Sequence, residues 1–104
     1  MLIDVTPEHI KNGVPEDECN CPIALAVCNA VESELDDNNI EQCNIIAVVH
    51  DNDISVHFNH PDGMEYQYNI SPKVKGDWNY IGEFISAFDN DGTVEPFEME
   101  FEIN

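Results

Sequence analysis

Glu98, Glu100 and Glu102 alternate with Phe97, Met99, Phe101 and Ile103 near the end of a 104-residue chain. A period of two places three carboxylates on one face of a strand and the apolar side chains on the other. Successive carboxylates then stand about 6.7 Å apart. That is roughly the spacing of successive phosphates along a nucleic-acid strand, given about 3.4 Å of axial rise per nucleotide plus helical winding. Glu95 precedes this row, Asp36, Asp37 and Glu41 form a second acidic group, and Glu16, Asp17 and Glu18 a third. The chemistry such groups offer is recognition: carboxylates can occupy a basic nucleic-acid site where phosphates would lie. The plainer account of the same residues is that they solvate the open face of a sheet and blunt its edge.

The charge of the whole chain favours recognition. There are 22 Asp and Glu against three Lys (Lys11, Lys73, Lys75) and no Arg, a net charge of −19. Nothing here could neutralise phosphate, so direct binding to nucleic acid or to anionic lipid is not expected. Basic proteins would be attracted and steered in, in a salt-dependent way. Crowding like charges on folding also opposes stability. Adaptation to high salt would produce a similar balance, but twelve Asn, eleven Ile and four Cys fit a salt-adapted composition poorly.

Other chemistries find less support. Cys19, Cys21, Cys28 and Cys43 lack the paired Cys-x2-Cys spacing of a zinc ribbon, although Cys19, Cys21, Cys43 and His9 have the right donor types. His57 and His60 fall on opposite faces of a strand. Asp89-Asn90-Asp91-Gly92 echoes the opening of a calcium loop but lacks its later ligands, and reads as a helix stop. A nucleophilic cysteine needs positive neighbours, and carboxylates surround these thiols; Cys21, at a helix start, is the exception to remember. No Gly-rich phosphate loop and no Gly-x-Ser-x-Gly is present. The expectation is a non-enzymatic protein with no cofactor and no metal.

The elements that must position these residues follow from periodicity. Residues 2–5 read as a short strand. Thr6-Pro7-Glu8 opens a short helix that ends near Asn12-Gly13. Pro22 opens a longer helix, running to about Leu35, with Ala24, Val27, Cys28, Val31 and Leu35 on its apolar stripe. Residues 44–50 read as a strand apolar on both faces, hence central. Ile54, Val56 and Phe58, and then Met64, Tyr66, Tyr68 and Ile70, mark two alternating strands joined through a turn at His60-Pro61-Asp62-Gly63. Ser71-Pro72 reads as the start of the last helix, with Val74, Trp78, Ile81, Ile85 and Phe88 buried. The expected fold is one α+β domain over residues 1–104, in the order β-α-α-β-β-β-α-β. It has a mostly antiparallel sheet of four to five strands with two or three helices on one face. The longest aliphatic run, Ile45 to Val49, is too short to span a bilayer, and no signal or transit peptide is recognised, so a cytoplasmic location is expected.

Two stretches carry a resemblance. Residues 3–27 contain Thr6-Pro7-Glu8-His9-Ile10 and Gly13, followed by Cys21-Pro22-Ile23-Ala24-Leu25-Ala26. Residues 84–101 contain Phe84-Ile85-Ser86-Ala87-Phe88-Asp89 and Val94-Glu95-Pro96-Phe97. Together they resemble a family of small, uncharacterised bacteriophage and bacterial proteins. The resemblance implies a phage-associated source and brings no activity with it. The chain departs from that family in its acidity, since the family carries Arg near the last helix. With the charge, it leads to an expected function: an inhibitor that binds the basic nucleic-acid site of a host protein, such as a CRISPR effector, a restriction enzyme or a repair enzyme, by mimicking nucleic acid. The expected contact residues are Glu95, Glu98, Glu100, Glu102, Asp36, Asp37 and Glu41. Tyr66, Tyr68 and Trp78 would serve as anchors if exposed. The alternative is a small phage accessory or structural domain, zinc-stabilised or oligomeric (a homodimer, for instance), whose acidity is incidental.

Overall fold

The computed structural model describes residues 1–35, 44–50, 52–59 and 63–103. Its elements are β1 (Leu2–Val5), α1 (Pro7–Asn12), α2 (Pro22–Leu35), β2 (Asn44–Val49), β3 (Ile54–Asn59), β4 (Glu65–Pro72), α3 (Asp77–Asp89) and β5 (Phe97–Ile103). The five strands form one antiparallel sheet in the order β1-β5-β4-β3-β2. This is the expected α+β fold and element order, with five strands and three helices.

Local chemistry explains the helix starts. The Thr6 hydroxyl accepts the His9 amide at 3.2 Å, and His9 Nδ1 accepts the Thr6 amide at 3.1 Å, a reciprocal cap with histidine in the usual Glu or Gln position. At Gly13 the chain passes so close to Pro22 that a Cβ would lie 2.6 Å from the proline ring, which brings α1 against α2. Cys21 precedes α2, and its sulfur accepts the Ala24 amide at 3.4 Å.

α2 contacts both β1 and β2, the two edge strands, so the sheet curls around this helix. Ile23, Ala24, Val27 and Val31 of α2 are buried against Ile3, Val5, Ala47, Val49, Ile54, Val56, Ile70 and Phe101. No charged or polar side chain is buried among the described residues. The described charged side chains therefore all lie at the surface, around a wholly apolar core.

Three sequence expectations need correction. β2 is an edge strand and not a central one: Ile46 is 49% exposed, and Val48 is half-buried. α2 packs on the Ala47 and Val49 face, and the apolar Ile46 and Val48 are left on the opposite, partly exposed face. Next, Ser71-Pro72 ends β4 and starts no helix. Pro72 pairs with Phe101, and the Lys73 amide continues the ladder to the Glu100 carbonyl at 3.0 Å. A tight turn follows, with Asp77 bonded to Val74 and Trp78 to Lys75, before α3 begins. Val74 therefore lies outside the helix, exposed, and Phe84 joins Ile81 as the buried pair of α3. Last, of the residues facing inward on β4, Ile70 is buried and Tyr68 half-buried, while Tyr66 is exposed, as is Met64 just ahead of the strand.

Candidate functional site

β5 places Glu98, Glu100 and Glu102 on the face of the sheet away from the helices, and all three are exposed. Its opposite face buries Met99 and Phe101 and packs Phe97 edge-on against Phe84 and Tyr80 of α3. This apolar anchoring fixes the orientation of the glutamates. Cross-strand register adds a fourth carboxylate: Asp4 of β1 stands directly opposite Glu98, and Leu2 opposite Glu100. Like charges directly opposite destabilise a sheet.

Neutralisation within this group is uneven. Glu100 lies 3.5 Å from the Met1 α-amino group and 3.9 Å from Lys73 Nζ. Among the described residues, Asp4, Glu98 and Glu102 have no cationic partner. Neighbours about 6.7 Å apart lie within the screening length of about 8 Å at physiological salt, so the group acts on an approaching charge as a unit.

The rest of this face changes character strand by strand. β4 presents Gln67 and Asn69, and β3 presents Ser55 and His57, whose Nε2 lies 3.2 Å from the Ser55 hydroxyl. β2 presents apolar Ile46 and Val48. Glu65, at the start of β4, adds one exposed carboxylate to this face, and the other described acidic side chains on it lie together at the β1–β5 end.

Glu95 lies in the loop before β5, exposed and off the strand row. Asp36, Asp37 and Glu41 lie outside the described residues, as do Cys43 and His60. Asp4 escaped the sequence reading: its strand was legible, but its cross-strand partner was not. Of the three anticipated anchors, Tyr66 is exposed while Tyr68 and Trp78 are half-buried. Tyr66 stacks on Phe58 at 5.2 Å on the helix side of the sheet, opposite the glutamate face.

The third acidic group borders a separate cavity of about 350 Å³, lined by Glu16, Asp17, Glu18, Cys21, His50 and Asp89, among others. The Glu16 amide bonds Asp89 at 2.9 Å, and His50 lies 3.8 Å from Glu18. Hydrogen bonds from the Asn20 side chain and the Cys19 amide hold the Asp17 carboxyl below its usual range. Cys21 is buried, and burial pushes its thiol up, with Asp89 adding to the effect. It stays protonated at neutral pH, so its place at the start of α2 does not make it a nucleophile. His9 uses Nδ1 in the α1 cap, and its Nε2 lies 2.7 Å from the side-chain amide group of Asn29. Among the described residues, no three His, Cys, Asp or Glu side chains are arranged to hold a metal ion. Among the same residues, no helix is long and apolar enough to cross a membrane.

No family model, curated protein or solved structure matches the chain.

Proposed function

We propose that this domain is a phage-associated inhibitor that works in the host cytoplasm and occupies the basic nucleic-acid site of a host protein, of the CRISPR effector, restriction or repair class. The observation that carries this reading is the group Asp4, Glu98, Glu100 and Glu102 on one exposed face, in a chain of net charge −19. Three of these four carboxylates have no internal cation among the described residues. A surface that keeps like charges together, against their mutual repulsion, supports a role for that charge outside the molecule. The motif segments in residues 3–27 and 84–101 support the phage association. Charge would set the encounter rate and a salt-sensitive share of the affinity.

The test begins with a tagged pull-down from nuclease-treated host lysate at low and high salt. A single stoichiometric nucleic-acid-binding partner that weakens with salt is expected. The Glu98→Lys, Glu102→Lys double variant should then bind that partner on the order of a hundredfold more weakly at low salt, because it sets like charges against a basic site. Both residues are exposed and have no cationic partner among the described residues, so the fold should be unaffected. Unchanged binding by this variant would remove the β5 face from the interface. A smear of basic proteins lost at modest salt would favour the accessory-domain alternative.

A further inference from the structure

β1 is an edge strand of the sheet, and its hydrogen-bond pattern shows which of its groups have no partner among the described residues. Met1 and Phe101 exchange ladder bonds: the Met1 amine donates to the Phe101 carbonyl at 2.9 Å, and the Phe101 amide to the Met1 carbonyl at 2.8 Å. Antiparallel ladders alternate, so Ile3 and Val5 also face β5, while the amides and carbonyls of Leu2 and Asp4 point away from it. Among the described residues nothing hydrogen-bonds those outward groups. A groove of about 700 Å³ runs along this edge. Leu2 and Asp4 line one wall, whereas Ile3 and Val5 do not; Ala26, Ala30 and Ser33 of α2 line the other. Small side chains there leave room for a backbone, and open ladder groups beside a groove are what an added strand requires.

We propose that an extended basic segment of the partner protein adds to β1 as a sixth strand in this groove. The proposal rests on the acidic-surface reading above and specifies how the partner is held. Alternate side chains of the added strand would come opposite Leu2 and Asp4, on the face that also carries Glu98, and Asp4 and Glu98 have no cationic partner among the described residues. Charge complementarity requires Lys or Arg there. The intervening side chains point toward Ala26 and Ala30 and must be small or apolar. Main-chain bonds to Leu2 and Asp4 give affinity, and the alternation gives specificity. The recognised chemistry is therefore a basic-apolar alternating strand, a narrower class than any basic surface.

The experiment uses the full chain and a short fluorescent peptide of alternating lysine and valine, read by anisotropy. A backbone N-methylated copy keeps the charge and loses the ladder donors; a glutamine-for-lysine copy keeps the donors and loses the charge. The lysine peptide should bind, and N-methylation should weaken it on the order of tenfold. Leu2→Pro, which removes an outward amide at a place where an edge strand tolerates proline, should weaken it similarly. Amide exchange at Leu2 and Asp4 should slow when the peptide is bound. Equal binding by the N-methylated copy would overturn strand addition while leaving the acidic-surface reading intact. Equal binding by the glutamine copy would support strand addition and sink the charge-led reading. No binding by any peptide at low salt would overturn the proposal.

Discussion

Along β2 the outward ladder groups meet the rest of the chain. The Val49 amide donates to the Glu18 carbonyl at 2.9 Å, and the Cys28 thiol of α2 donates to the Ile45 carbonyl, with sulfur and oxygen 3.7 Å apart. Along β1, at the other edge of the same sheet, the outward groups of Leu2 and Asp4 have no such cover among the described residues, and a groove runs beside them. Both strands touch α2, so proximity to the helix does not explain the difference. What differs is what reaches the ladder: the Glu18 carbonyl and the Cys28 thiol meet β2, whereas beside β1 α2 presents Ala26 and Ala30, with Asn29 and Ser33 bonded elsewhere. An open edge is a liability for aggregation, and Asp4 supplies the usual protection, a charge on the edge. On the proposed reading, the same charge would select for basic partners.

Proline substitution should separate the two edges most clearly. Val49→Pro removes a buried amide from the closed edge and leaves the Glu18 carbonyl without its donor. A loss of about 1–3 kcal/mol is expected. Leu2→Pro removes an amide that already faces away from the sheet and should stay within about 0.5 kcal/mol of the parent protein. Urea midpoints at unchanged slope would measure both. Equal losses would mean that the two edges are not differently finished.

Cys28 offers a finer probe. Cys28→Ala removes the donor to Ile45 and should cost about 1 kcal/mol, with Cys28→Ser recovering part of it through its hydroxyl. The thiol also gives a pH signature. Burial, the main cause, raises its pKa above the ordinary thiol value, with Glu32 adding to the effect. A proton held more tightly in the folded state stabilises the fold fully below the unfolded thiol's pKa, and that contribution is lost as pH rises through the folded value. Cys21 is shifted in the same direction, chiefly by burial, so it must be replaced in the background. In a Cys21→Ala protein the remaining alkaline fall in urea midpoint should shrink when Cys28 is replaced by serine. An unchanged fall would exclude Cys28 as its source.

How much of this was legible in the sequence depended on whether a feature is local. The period of two in Phe97–Ile103 and the helical spacing of Ala24, Val27 and Val31 are local patterns, and they gave the β5 row and α2 directly. The pairing of Asp4 with Glu98 is a register between residues far apart in the chain, and no spacing records it. β2 looked central because both its faces are apolar, and composition does not record that Ile46 stays exposed. Pro72 looked like a helix opener because proline suits both a first helical turn and the end of a strand. Phe84 lies three residues after Ile81 on the same helical face, but a stripe counted from Val74, which lies outside the helix, passed over it.

The smallest expected effect bears most directly on function. Asp4 and Glu98 are placed opposite each other with no cation between them among the described residues. Removing one charge should relieve that repulsion, so Asp4→Asn or Glu98→Gln should raise stability by roughly 0.2–1 kcal/mol. Glu100→Gln, which gives up contacts to the Met1 amine and Lys73, should gain less or lose slightly. If the carboxylate pair serves recognition, the two stabilised variants should be the weaker binders, and the gap should close as salt screens both effects. Thermal unfolding and partner affinity measured on the same preparations at two salt concentrations would show it. Stability and binding that rise together would mean that the pair is not kept for an incoming basic group.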